Sequence, residues 1–201
     1  MSDGKRDKGS VIYRIGWQLC RFLFFTLRKA RARGLENIPP DGAFIAAPNH
    51  ASYIDPPLVG ASCNFALNYM AKKELFSVPV LGWILPKINV FPVERTSSDI
   101  GAVRTALKIL SDGKPLLLFP EGTRGKSRKI LKTPKLGVGY FASRANVPVL
   151  PVRVVNTDSF FSPHKPIEVI WGKPMYPPQS GEKADYSAFT SKIIEAIYQL
   201  K

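Results

Sequence analysis

The chain has 201 residues, 45% of them apolar and 22% charged, a make-up that suits one globular domain with an extension and excludes a disordered or collagenous chain. Lysine and arginine number 29 against 15 aspartates and glutamates, and the net charge of +14 points to an anionic partner: nucleic acid, a phosphorylated metabolite or a membrane surface. Two cysteines, Cys20 and Cys63, and two histidines, His50 and His164, exclude a disulfide framework, a zinc motif and a histidine-rich metal site, and fit a reducing compartment.

Residues 11–27, VIYRIGWQLCRFLFFTL, are apolar but fall short of a membrane span. A span needs about 18 uninterrupted apolar residues, and Arg14 and Arg21 would each cost about 2.5–3.5 kcal/mol near a bilayer centre. At 100° per residue, Arg14, Gln18, Arg21 and Arg28 share a narrow stripe, while Val11, Ile12, Ile15, Leu19, Phe22, Leu23 and Phe25 fill the rest, so an amphipathic helix is expected. Residues 1–33 hold nine basic residues against two acidic ones. Aromatic bulk flanked by cations suits the interface of an anionic leaflet, the alternative being a helix whose apolar face packs on the core. RKARARG follows the apolar run where a secretory signal would have small residues for cleavage. A basic segment, 1–33, is thus expected to precede a domain over 34–201.

From Gly34 onward, residues 43–48, 67–71, 88–93, 115–120, 147–155 and 167–172 read as strands. Helical patterns lie between and after them: 98–111 behind a serine cap and closed near Gly113, 133–145 with Pro134 in its first turn, and 186–200. This alternation predicts an α/β domain, its sheet largely parallel and covered by helices, with a site beyond the carboxyl ends of the strands.

Three polar turns leave apolar strands. Asn49-His50-Ala51-Ser52-Tyr53-Ile54-Asp55 follows the first strand. On a continuous helix His50 and Asp55 would diverge by about 140°; a turn between them, with Pro56-Pro57 starting a new segment, lets Asp55 accept the imidazole Nδ1 proton and leaves Nε2 free as a base. FPEGTRGKS, residues 119–127, opens a stretch in which Arg124, Lys126, Arg128, Lys129, Lys132 and Lys135 place six cations in twelve residues, a field for phosphate that Gly122 and Gly125 open to backbone amides. GKS is not a P-loop, because Pro120 stands where that motif needs its first glycine. FPVERTSS, residues 91–98, offers Arg95 as a second hold on phosphate. No nucleophile elbow is present, and Cys63 reads as a small packed hydrophobe.

NHASYID, FPVERT, FPEGTRGKS and VPVLPV, in this order and spacing, resemble the 1-acylglycerol-3-phosphate O-acyltransferase family, the lysophosphatidic acid acyltransferases, over about residues 34–174. The resemblance implies a glycerolipid acyltransferase fold, association with the cytoplasmic face of a membrane, and transfer of a fatty acyl chain from acyl-CoA or acyl-carrier protein to lysophosphatidic acid, with no metal or cofactor. By the same resemblance His50 is the catalytic base and Asp55 its partner, Asn49 opens the motif, Arg95 holds acceptor phosphate, and Glu121, Gly122, Thr123 and Arg124, with Lys126 beside them, bind the glycerol phosphate. VPVLPV lies on the acyl side. Acylation of glycerol 3-phosphate or a lyso-aminolipid, and a non-catalytic basic lipid- or nucleic-acid-binding module, are the rivals. Nucleic acid is not expected, because the aromatics gather in an apolar helix and core strands rather than among exposed cations.

Overall fold

The computed structural model describes residues 6–94, 99–122, 137–162, 164–178 and 185–201. Seven strands form one sheet in the order β1-β7-β6-β2-β5-β3-β4: β1 (Arg31–Arg33), β2 (Ile45–Pro48), β3 (Asn68–Lys72), β4 (Val90–Val93), β5 (Leu116–Leu117), β6 (Val149–Val155) and β7 (Glu168–Trp171). Neighbours are parallel except β6 and β7, so the sheet is mixed and largely parallel as expected.

The two-residue period of the strands sorts their side chains into two cores. Phe44 and Ala46 before and in β2, Leu117 in β5, and Leu150, Val152 and Val154 in β6 point to one side, beneath Phe24 and α2 (Asp55–Ser62) with its Leu58 and Val59. Ile45, Ala47, Leu116, Leu118 and Val149 point to the other. There they meet α4 (Ile100–Ser111), α5 (Gly137–Ala145) and α6 (Tyr186–Gln199) through Ala106, Leu110, Val138, Phe141, Ile193 and Ile197. Both faces are therefore covered, which is why the strands lack a polar side.

α1 (Val11–Arg21) begins on Ser10, whose hydroxyl accepts the Tyr13 N–H at 3.1 Å, and packs beside α2. Residues Phe22–Leu27 continue it in wider, π-helical turns, with the Arg28 N–H reaching Leu23 O, five residues back, at 3.0 Å. Tyr13 and Phe24 are buried, whereas Val11, Ile15, Leu19, Phe22, Leu23 and Leu27 are exposed. Among the described residues no helix is long and apolar enough to cross a membrane.

Sequence expectations change in three places, and a fourth falls outside the described residues. β1 is an additional strand, so the sheet takes in residues 31–33. The cap of α4 is Asp99 rather than Ser98: its Oδ1 accepts the Ala102 N–H at 2.9 Å, the bond a helix start needs. α5 is described from Gly137, and the expected start at 133 lies outside the described residues. A short α3 (Pro79–Ile84) between β3 and β4 was not read from the sequence.

Candidate active site

β2 ends one residue before Asn49, whose side chain is spent on the neighbouring strand: Nδ2 donates to Val154 O at 3.0 Å, and Oδ1 accepts the Val154 N–H at 2.7 Å. The chain then leaves the sheet and turns, with the Asp55 N–H donating to Ser52 O at 3.3 Å. Pro56 and Pro57 occupy the first turn of α2, where their lost N–H groups cost nothing. This turn brings together the two residues that a continuous helix would separate. Oδ2 of the fully buried Asp55 accepts the His50 Nδ1–H at 2.9 Å, and the Ala51 and Ser52 amides at 2.7 Å each. Three donors on one oxygen, at the positive end of α2, offset part of the water this carboxylate has lost, while its Oδ1 is buried without a hydrogen-bond partner among the described residues. The proton on Nδ1 leaves Nε2 as the acceptor.

Beyond β5, Phe119 stacks on the His50 ring, centroids 3.8 Å apart and planes at 19°. The Gly122 N–H donates to Phe119 O at 3.0 Å, closing a tight turn that Gly122 completes at φ 68°, where a side chain would be strained. Glu121 sits in this turn, half-buried, and its Oε1 accepts the hydroxyl proton of Tyr198 at 2.8 Å. Burial raises the Glu121 carboxyl above its ordinary value, while hydrogen bonds from Tyr198 and the His50 backbone pull it back. Tyr198, seventy-seven residues further on, was not found in the sequence, and nothing in the local pattern links it to Glu121. Arg95, Thr123, Arg124 and Lys126 lie outside the described residues.

His50 opens onto a cavity of about 1110 Å³ with a mainly apolar lining. α1 contributes Tyr13, Trp17 and Cys20 to its wall, α2 contributes Pro56, Pro57 and Gly60, and β3 and the segment after it supply the opposite side. Tyr69, Val90 and Leu117, which pair across β3, β4 and β5, also line it. VPVLPV, residues 147–152, leads into the first half of β6 and contributes nothing to this cavity wall. Cys63 is likewise absent from the wall, and burial pushes its thiol up to about 12, which leaves it inert as a nucleophile.

The sequence profile of the Acyltransferase family matches residues 29–155. A 1-acyl-sn-glycerol-3-phosphate acyltransferase from Bacillus subtilis is 31% identical over 161 residues, covering 78% of this chain and 76% of that protein. The chloroplastic 1-acyl-sn-glycerol-3-phosphate acyltransferase LPAT1 of Arabidopsis thaliana is 28% identical over 181 residues, 84% of this chain but 49% of that protein, so the chain spans about half its length. Among solved structures, the 1-acyl-sn-glycerophosphate (LPA) acyltransferase PlsC from Thermotoga maritima aligns over 92% of this chain and 75% of its own, with 27% identity and a TM-score of 0.69.

Proposed function

Since the chain belongs to the acyltransferase family and, like its relatives, is a 1-acyl-sn-glycerol-3-phosphate acyltransferase, we propose that His50 is its general base. In this reading a fatty acyl chain passes from an acyl thioester, acyl-CoA or acyl-carrier protein, to the free sn-2 hydroxyl of lysophosphatidic acid, giving phosphatidic acid. The observation that carries it is the buried Asp55–His50 pair at the mouth of an apolar cavity. Asp55 holds the Nδ1 proton, so Nε2 takes the proton of the acceptor hydroxyl as its oxygen attacks the thioester carbonyl. The new C–O bond forms, the tetrahedral adduct collapses, the C–S bond breaks, and the departing thiolate receives the proton from the imidazolium. A thioester is already activated, so neither an acyl-enzyme nor a cofactor is needed. Arg95, Arg124 and Lys126, assigned to phosphate by their motifs, would fix the acceptor and turn positioning into rate. The outward row of α1, with the basic residues around it, is assigned to an anionic leaflet on the cytoplasmic face of the membrane.

The test offers lysophosphatidic acid and a long-chain acyl thioester to the purified protein and identifies the product by mass spectrometry. Phosphatidic acid is expected, and His50→Ala, still folded, is expected to lose about 10²–10⁴-fold in turnover. Undiminished turnover in that variant would overturn the base assignment. Preferential acylation of glycerol 3-phosphate or a lyso-aminolipid in the same panel would move the acceptor.

A further inference from the structure

We propose that Tyr198, in the last turn of α6, is a positioning residue of the acyl-transfer site, its hydroxyl fixing the Glu121 carboxylate so that the loop carrying Phe119 keeps the His50 ring in place. The inference rests on His50 being the base. The chain of contacts is short. Tyr198 Oη donates to Glu121 Oε1 at 2.8 Å, and Phe119, two residues before Glu121, lies flat on the imidazole. Glu121 thus ties the turn that carries Phe119 to α6.

α6 is built to hold that end still. Ile193 and Ile197 are fully buried against the sheet, and Arg153 of β6 donates from Nη1 to Tyr198 O at 3.0 Å and to Leu200 O at 2.7 Å. The tyrosine is therefore fixed by its own backbone before its hydroxyl reaches across. The bond uses one carboxylate oxygen of Glu121, Oε1, as the acceptor. Tyr198 from α6 and His50 from the loop after β2 favour its ionised form; burial and Asp55 from α2 oppose it. An ionised acceptor makes the tyrosine bond the stronger, charge-assisted kind.

The experiment uses the full chain with oleoyl lysophosphatidic acid and palmitoyl-CoA, and compares Tyr198→Phe, Glu121→Leu and the double variant. Tyr198→Phe is expected to lower kcat roughly tenfold with both KM values within about twofold of wild type, since the loss touches the base and not the substrates. In the Glu121→Leu background, Tyr198→Phe is expected to do little more, because its acceptor is already gone. Wild-type kcat in Tyr198→Phe, a loss confined to KM, or equal losses in both backgrounds would each overturn the inference. Should Tyr198→Phe lose its thermal transition, Glu121→Leu alone decides: it removes the acceptor at similar size, and undiminished kcat there would overturn the brace. The two readings fail separately. Turnover surviving in His50→Ala removes the base, whereas an inactive His50→Ala beside an unaffected Tyr198→Phe removes only the brace.

Discussion

Oδ2 of Asp55 accepts from His50, Ala51 and Ser52, so the side chain both orients the imidazole and closes a turn. Two substitutions separate these tasks. Asp55→Asn keeps an oxygen for the amides and loses the charge that holds the imidazole through the reaction. It is expected to stay folded while kcat falls about 10²-fold or more. Asp55→Ala strands two amides, each at a cost of about 1–3 kcal/mol if left buried and unpaired, so its denaturation midpoint is expected to drop as well. Denaturant titration beside turnover checks both, and an Asp55→Asn enzyme with wild-type kcat would show that the charge gives the base nothing. This pair was legible in the sequence because its determinants are local: a strand end, a turn and two prolines within ten residues. The brace from Tyr198 was not, since it depends on where α6 crosses the sheet.

Among the elements, the six expected strands were legible because burial on both faces demands continuous apolar runs. β1 escaped because it lies at the sheet edge, with Arg31 and Arg33 exposed on either side of Ala32, and a basic triplet reads as a solvated tail. The start of α4 shows how a single neighbour shifts a boundary. Asp99 Oδ1 accepts the Ala102 N–H, and its Oδ2 accepts the Glu94 N–H, both at 2.9 Å, so one carboxylate ties the end of β4 to the helix. These bonds, from Glu94 first and then Ala102, hold its carboxyl below the ordinary aspartate value. The folded state therefore binds this proton less tightly than the unfolded chain does. The stabilisation is full above the ordinary value of about 4 and is lost as the pH falls through the lowered one. Asp99→Ala is expected to melt at a lower temperature than wild type at neutral pH, with the gap closing below about pH 4. Thermal scans across that range measure it, and a gap independent of pH would deny the carboxylate its role.

For the molecule as a whole, the orientation of α1 decides which surface meets the lipid. Helical angles gave two faces but could not say which one the domain would claim. Side chains with a polar handle went inward, because they satisfy buried backbone groups as they pack. Trp17 Nε1 donates to Cys63 O at 2.8 Å, the Tyr13 hydroxyl accepts the Leu67 N–H at 3.1 Å, and Arg28 caps the carbonyls of Phe160, Ser162 and Lys165. The aliphatic row of Val11, Ile15 and Leu19, with Phe22 beyond it, had nothing to offer there and faces outward next to the wall of the cavity. Seating that row in a leaflet would bring lipid-borne substrates to the site without unfolding. Deleting residues 1–33 cannot test this, since it would also remove β1 and the buried Tyr13. Ile15→Asp with Leu19→Asp changes only exposed positions. Burying a side chain of this size is worth about 1.5–3 kcal/mol, so losing two is expected to weaken flotation with anionic vesicles about a hundredfold. Turnover of vesicle-borne lysophosphatidic acid should fall with it, and turnover of detergent-dispersed substrate should not. Equal flotation of the double variant and wild type would leave α1 as a wall of the cavity and nothing more.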